Sequence, residues 1–210
     1  MTLTNAYTTT ALVRAGVDIP ATDTSEDIPI EAAIASASRQ VDAHCGGRRF
    51  WQDATVVTRT YVATDDRILC VDDISTTTGL IVKTDTNGDG TYGTTLAITT
   101  NFLLWPTNAG AQYPVEPWTE IHLVDFGATY FPMWSSGRPG VQVTAKFGWA
   151  AVPDAVAMAT LIQAIHVYKS PDAVFGMIQM GDGYASRLRS QMHPTAEALL
   201  EDFVRQDPVS

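Results

Sequence analysis

Apolar positions recur with two different periods along this chain, and the change of period divides it. Ile30, Ile34, Ala37, Val41 and Cys45 follow one another at helical intervals, which at 3.6 residues per turn stacks them on one side of a helix. Gly46-Gly47 come directly afterwards and supply positive φ where the last carbonyls must be satisfied, so the helix is predicted to stop there. A shorter helix is expected from Asn5 to Ala15, with Ala11, Leu12 and Ala15 on one face and Gly16 closing it. The acidic, Pro20-containing stretch from Asp18 to Asp27 reads as the exposed connection between the two.

From Val56 to Phe147 the period falls to two. Short β-branched and aromatic runs alternate with Gly, Asn, Asp and Pro, giving candidate strands at Val56 to Ala63, Arg67 to Val71, Leu80 to Thr84, Thr94 to Thr99, Phe102 to Trp105, Glu120 to Phe126 and Val141 to Phe147. In the last of these Val141, Val143, Ala145 and Phe147 share one face, and Gln142, Thr144 and Lys146 the other. Helix returns at Pro153-Asp154, with Val156, Ala159, Leu161, Ile162, Ile165 and Tyr168 covering a broad arc. Gly176 to Tyr184 reads as a loop, and Pro194 opens a last helix containing Ala198, Leu199, Leu200 and Phe203.

These elements predict an α+β protein. A small helical bundle is built from residues 1–50 and 150–210, and an antiparallel β-rich domain of sandwich or barrel type is inserted over 51–149. All five tryptophans, Trp51, Trp105, Trp118, Trp134 and Trp149, fall in the inserted part.

Composition narrows the function. A chain of 210 residues, 45% hydrophobic and 17% charged, is apolar enough to fold around a core without disulfide staples. No apolar run approaches the roughly 20 residues that span a bilayer, and the opening residues lack the regions of a signal peptide, so a soluble, unexported chain without membrane contact is expected. The net charge of -10 opposes a sequence-independent grip on phosphates. Cys45 and Cys70 lack the spacing of a zinc or redox motif.

Candidate chemistry is sparse. Asp85, Asn87, Asp89 and Thr91, with Gly90, match the first half of a calcium loop. Position 12 is Leu96 and the flanks read as strands, so a hairpin turn is the competing reading. Gly88, Gly90 and Gly93 have a G-x-G-x-x-G spacing but precede a strand where a dinucleotide site needs a helix. His44, His122, His166 and His193 show no metal-ligand spacing, no nucleophile elbow is present, and Asp65-Asp66 and Asp72-Asp73 are adjacent pairs whose side chains diverge on a strand. Neither catalysis nor a cofactor is expected. Arg48-Arg49-Phe50-Trp51 combines residue types enriched at interface hot spots, and Arg187 with Arg189 forms a second small basic cluster. Each also has a plainer reading, a packed junction for the first and a solvated face for the second.

The helix Ile34-Ala35-Ser36-Ala37-Ser38-Arg39-Gln40-Val41-Asp42, followed by Cys45-Gly46-Gly47-Arg48-Arg49-Phe50, resembles the head-to-tail connector (head completion adaptor) family of tailed bacteriophages. So does the return through Val141-Gln142-Val143-Thr144-Ala145-Lys146-Phe147-Gly148-Trp149 to Val152-Pro153-Asp154-Ala155-Val156, and the ending with Gly181-Asp182-Gly183 before Ala196-Glu197-Ala198-Leu199-Leu200. The resemblance covers about 110 residues at the two ends and rests on motif order and spacing. It implies a non-enzymatic virion protein of the neck, assembled in the host cytoplasm. Such a protein forms a dodecameric ring on the portal, continues the DNA channel without specific DNA binding, and presents a surface to the next neck, stopper or tail protein. On that reading Arg48, Arg49 and Trp51 are expected near a subunit or portal contact, with Arg187 and Arg189 as further interface candidates. The last helix with Phe203, and the tail from Arg205, are expected in assembly contacts. The alternative is a calcium-assisted β-sandwich module for a carbohydrate or cell-surface ligand, resting on the Asp85 to Gly90 loop and the tryptophans.

Overall fold

A computed structural model describes residues 3–111, 115–124, 129–134, 137–170, 177–180, 184–187 and 192–205, the two short segments 177–180 and 184–187 as backbone only. The fold is α+β, with helices from both ends of the chain and a β-rich insertion. Two compact units are present, residues 1–47 with 152–205, and residues 48–151.

In the helical unit, α1 (Thr10–Gly16) starts later than its sequence pattern indicates, because the Thr9 hydroxyl accepts the Leu12 N–H and fixes the first turn. Its buried residue is Val13, whereas Leu12 is 53% exposed, so the packed face is not the one the sequence indicates. Helix α2 (Asp27–His44) buries Ile30, Ile34, Ala37 and Val41, the anticipated stripe, and Cys45 just beyond it. Each large aliphatic side chain so buried contributes about 1.5–3 kcal/mol. Gly46 and Gly47 follow with φ of 74° and 81°, and the Gly47 N–H returns to the Asp42 carbonyl at 2.8 Å. Helix α3 (Asp154–Lys169) packs Ala164, with Leu161, Ile165 and Tyr168 partly buried, on the α2 stripe. The stretch read as a loop, Gly176 to Tyr184, holds β7 (Met177–Met180) and the first residue of its antiparallel partner β8 (Tyr184–Arg187); three glycines of the sequence obscured the strand signal. Helix α4 (Pro194–Leu200) runs into a 3-10 turn at Glu201–Phe203. No helix among the described residues is long and apolar enough to cross a membrane.

The β unit holds β1 (Val57–Tyr61), β2 (Ile68–Thr84), β3 (Thr94–Leu96), β4 (Phe102–Trp105), β5 (Trp118–Leu123) and β6 (Val141–Phe147) in one antiparallel sheet of order β1-β6-β2-β5-β4, with β3 also on β2. Two strands anticipated separately, around 67–71 and 80–84, are the ends of the single long β2. Its first part pairs with β5 and its second with β6, the two ladders meeting at Ile74, which opposes both Trp118 and Phe147. Register shifts between Cys70 and Ile81 let β2 bend, as bulges do. The bent sheet wraps a core that includes Leu69, Val71, Ile74, Val82, Ile121, Phe131, Val143 and Phe147. Alternation in β6 is complete, with Val141, Val143, Ala145 and Phe147 buried.

Candidate functional site

The Arg48-Arg49-Phe50-Trp51 segment opens the β unit, and its two arginines have different fates. Arg48 donates from Nε and one terminal nitrogen to the two carboxylate oxygens of Asp73, each at 3.0 Å, a bidentate pair with only 13% and 4% of the two side chains exposed. The Trp149 indole N–H donates to the same carboxylate at 3.1 Å, and the Arg48 guanidinium lies 5.1 Å from the Trp149 ring. Phe50 packs on Trp149 as well, with centroids 5.3 Å apart and the rings tilted. Arg48 is thereby enclosed in its own unit. Arg49 is a third exposed, stands over Trp51 at 4.7 Å and pairs with Asp53 at 3.7 Å. Of the two, Arg49 with Trp51 is the pair that retains a surface.

Arg59 of β1 extends the network. It reaches Asp72 and, at 3.8 Å, Asp53, and covers the Phe147 ring at 4.1 Å. The Tyr61 hydroxyl donates to Asp72 at 3.0 Å. Burial, and then the adjacent Asp72 charge, push the Tyr61 hydroxyl well above its ordinary value of 10.0. Asp72 and Asp73 are thus separate ion-pair acceptors with different partners, not a proton-sharing dyad. Sequence reasoning missed Asp73, Arg59 and Trp149 as partners. The usable signal was an acidic pair set directly between the apolar Ile68-Leu69-Cys70-Val71 run and Ile74, which demands cations nearby.

The Asp85 to Gly90 segment is a turn held by its own amides. Asp85 is buried; its Oδ1 accepts the Gly88 N–H and its Oδ2 the Gly90 N–H, both at 2.8 Å, while Asp89 Oδ1 accepts from Thr91 N–H at 2.7 Å. Both carboxylate oxygens of Asp85 and one of Asp89 thus hold the loop's own amides, and Arg138 donates to the Gly88 carbonyl. Asn87 and Thr91 are exposed, and among the described residues no group of three or more His, Cys, Asp or Glu side chains is placed to hold a metal. Burial raises the Asp85 carboxyl, but the amides of Gly90, Gly88 and Asp89, aided by Arg138, outweigh it and hold the pKa below the ordinary 3.8. The hairpin reading accounts for this geometry.

A further surface lies on the outer side of β5 and β4. Ile68, His122 and Leu103 oppose one another across β2, β5 and β4, as do Cys70, Glu120 and Trp105 in the next row. His122 Nε2 lies 2.5 Å from Glu120 Oε2, and its ring stacks on Trp105 at 5.5 Å. Ile68, Leu103 and Trp105 are 39%, 44% and 49% exposed. The signal was present in the sequence: Phe102-Leu103-Leu104-Trp105 is apolar on both sides, whereas a sheet facing water on one side alternates.

In the helical unit, Phe203 and Arg205 are half-buried, and the Arg205 N–H donates to the Cys45 carbonyl at 3.3 Å, tying the end of the described chain to the end of α2. Arg187 ends β8, where only the backbone is described, and Arg189 lies outside the described residues. Buried Gln163 links three helices: it donates to Gln40 Oε1 at 2.6 Å and accepts the His193 N–H at 2.9 Å. The His193 ring caps α4 through the Thr195 N–H and meets His166 edge-on at 5.8 Å. The interface candidates therefore divide between the units, Arg48, Arg49 and Trp51 in one, Phe203 and Arg205 in the other.

No protein-family model and no curated protein matches the sequence. Solved structures do resemble it. A chain from the neck of an empty gene transfer agent particle with C6 symmetry matches over 100% of this chain and 95% of its own, at 16% identity and a TM-score of 0.54. A chain from the virion of a native gene transfer agent particle matches over 95% of this chain and 90% of its own, at 17% identity and a TM-score of 0.48. The first likeness establishes a shared fold along the whole length.

Proposed function

We propose that this chain is a head-to-tail connector of a phage-like particle, a structural and non-enzymatic protein of the neck. The observation that carries the reading is the whole-length fold likeness to a chain from a gene transfer agent neck, helical ends and β insertion together. The end motifs that resemble head completion adaptors support it independently. In this role the chain forms a ring on the portal, continues the DNA channel and docks the next neck or tail protein. A dodecameric ring is compatible with the sixfold symmetry of the neighbour's particle. Heterologous contacts between copies close such rings, and a net charge of -10 favours passage of duplex DNA over capture of its phosphates. Assembly takes place in the host cytoplasm before the finished virion carries the protein at its head-tail junction.

Arg49 with Trp51 and the segment around Phe203 and Arg205 are the assembly contacts of this reading; Arg187 and Arg189 are further candidates. Electron microscopy of particles made after disruption of the gene tests it. Filled or leaking heads beside separate, complete tails are expected, and normal tailed particles would overturn the assignment.

A further inference from the structure

The outer face of the β sheet is divided by charge. On β1, β6, β2 and β3 the outward rows read Thr60, Gln142, Lys83, Thr95; then Thr58, Thr144, Ile81; then Lys146 with Thr76. Every fixed charge in these rows is a lysine, and the two are among only three lysines in the chain. Neither Lys83 nor Lys146 has an ion-pair partner among the described residues, while Arg14, Arg39, Arg48, Arg49 and Arg59 are all paired with aspartates. Thr58 and Thr144 hydroxyls are linked at 2.8 Å, and Ile81, 44% exposed, lies in the row between the lysines. In the rows across β2, β5 and β4 the fixed charge is instead the Glu120 carboxylate, flanked by exposed Ile68, Leu103 and Trp105.

We propose that these two surfaces are the two halves of a contact between copies of this chain: the Trp105-Leu103-Glu120 surface of one protomer receives the Lys83-Ile81-Lys146 surface of the next. The argument is complementarity of charge and of apolarity together. A carboxylate set among exposed apolar side chains is matched by unpaired ammonium groups beside an exposed isoleucine, and both sets come from one sequence. With one such contact formed between each copy and the next, each protomer using its Trp105 side toward one neighbour and its Lys83 side toward the other, the contact is heterologous and generates a ring when its rotation closes. Lysines left unpaired in a strongly acidic chain retain full electrostatic attraction for such a partner, and apolar side chains at the centre of the contact supply the burial. The proposal rests on the ring reading above and specifies which faces of the β unit build the ring.

Sedimentation velocity of the full chain, from micromolar up to about 0.5 mM so that even a weak contact registers, supplies the test. Wild-type protein is expected to self-associate, and less so as salt is raised. Glu120→Lys, and separately Lys83→Glu with Lys146→Glu, are each expected to weaken association by about a hundredfold, because like charges then face each other. The triple charge exchange is expected to restore it. Leu103→Ser, at a 44% exposed position of the same surface, serves as an uncharged variant and is expected to weaken association as well, with its far-UV circular dichroism and urea midpoint matching the wild type. A wild-type chain that stays monomeric throughout, or variants that associate as the wild type does, would overturn this contact. Neither result alters the particle morphology on which the neck assignment is tested, so the two can fail separately.

Discussion

Arg48 and Asp73 are joined through two parallel hydrogen bonds of 3.0 Å, and the carboxylate that accepts them also accepts the Trp149 indole. With both side chains nearly enclosed, removing either partner strands a charge. Asp73→Ala and Arg48→Ala are each expected to cost about 3–5 kcal/mol in urea unfolding, whereas an apolar pair of similar volume at both positions should recover most of it. A loss below about 1 kcal/mol, the range of surface ion pairs, would show the pair to be solvated instead.

The neighbouring arginine should behave oppositely. Arg49 is a third exposed and pairs loosely with Asp53, so Arg49→Glu should change stability by less than about 1 kcal/mol. If it belongs to the assembly contact, the same substitution abolishes ring formation or portal binding in a reconstituted neck. Unaltered assembly by a folded Arg49→Glu protein would remove this residue from the interface.

Acid should act through the Asp85 turn. Its carboxyl is held below 3.8 in the folded chain, so the stabilisation it provides is complete above the unfolded-state value and disappears as pH falls through the folded-state value. Asp65, lowered by the Arg67 and Ile68 amides, adds the same sign. Asp85→Asn should flatten the acid limb of a urea-midpoint profile, and added calcium should leave the melting temperature of the wild type unchanged. A calcium-dependent rise would revive the metal reading.

Alkali should act through Tyr61. Its hydroxyl ionises well above 10.0 in the folded chain, so stability is lost as pH rises from the unfolded-state value toward the folded one. Tyr61→Phe is expected to remove that loss while sacrificing the bond to Asp72 at neutral pH, a change readable by unfolding at a series of alkaline pH values.

Gln163 offers a test confined to the helical unit. Its side chain is buried and satisfies both Gln40 and the His193 backbone, so Gln163→Leu, though similar in size, leaves two polar groups without partners. A cost of about 1–3 kcal/mol is expected in thermal or urea unfolding.

How much of this was legible beforehand differs between local and long-range features. The α2 stripe and the alternation of β6 were readable because each period states which side is buried, as were the helix stop at Gly46-Gly47 and the Asp85 hairpin. Helix α1 was misread because Leu12 and Val13 are equally apolar, and only the packing against α2 and α3 chooses Val13. The unity of β2 was hidden by Asp72-Asp73 and the Thr76-Thr77-Thr78-Gly79 run, which resemble turn residues until Arg48, Arg59 and the β6 ladder are in place. The candidate interface suffered the same ambiguity. Two adjacent arginines are indistinguishable in sequence, and the partner that separates them lies 25 positions away from Arg48 in the chain.

The fastening of Arg48 and Trp149 to one aspartate has a consequence for how the chain can be assembled. These residues stand near the two ends of the excursion from Arg48 to Ala151, and their side chains lie 5.1 Å apart. Once the sheet has formed, the helical unit no longer has to close a loop of about a hundred residues; it closes one only as long as the span between the fastened ends, with a correspondingly smaller entropy cost. The same economy allows the length of the excursion to vary without changing the distance its ends must bridge, so long as the aspartate and its two clients remain.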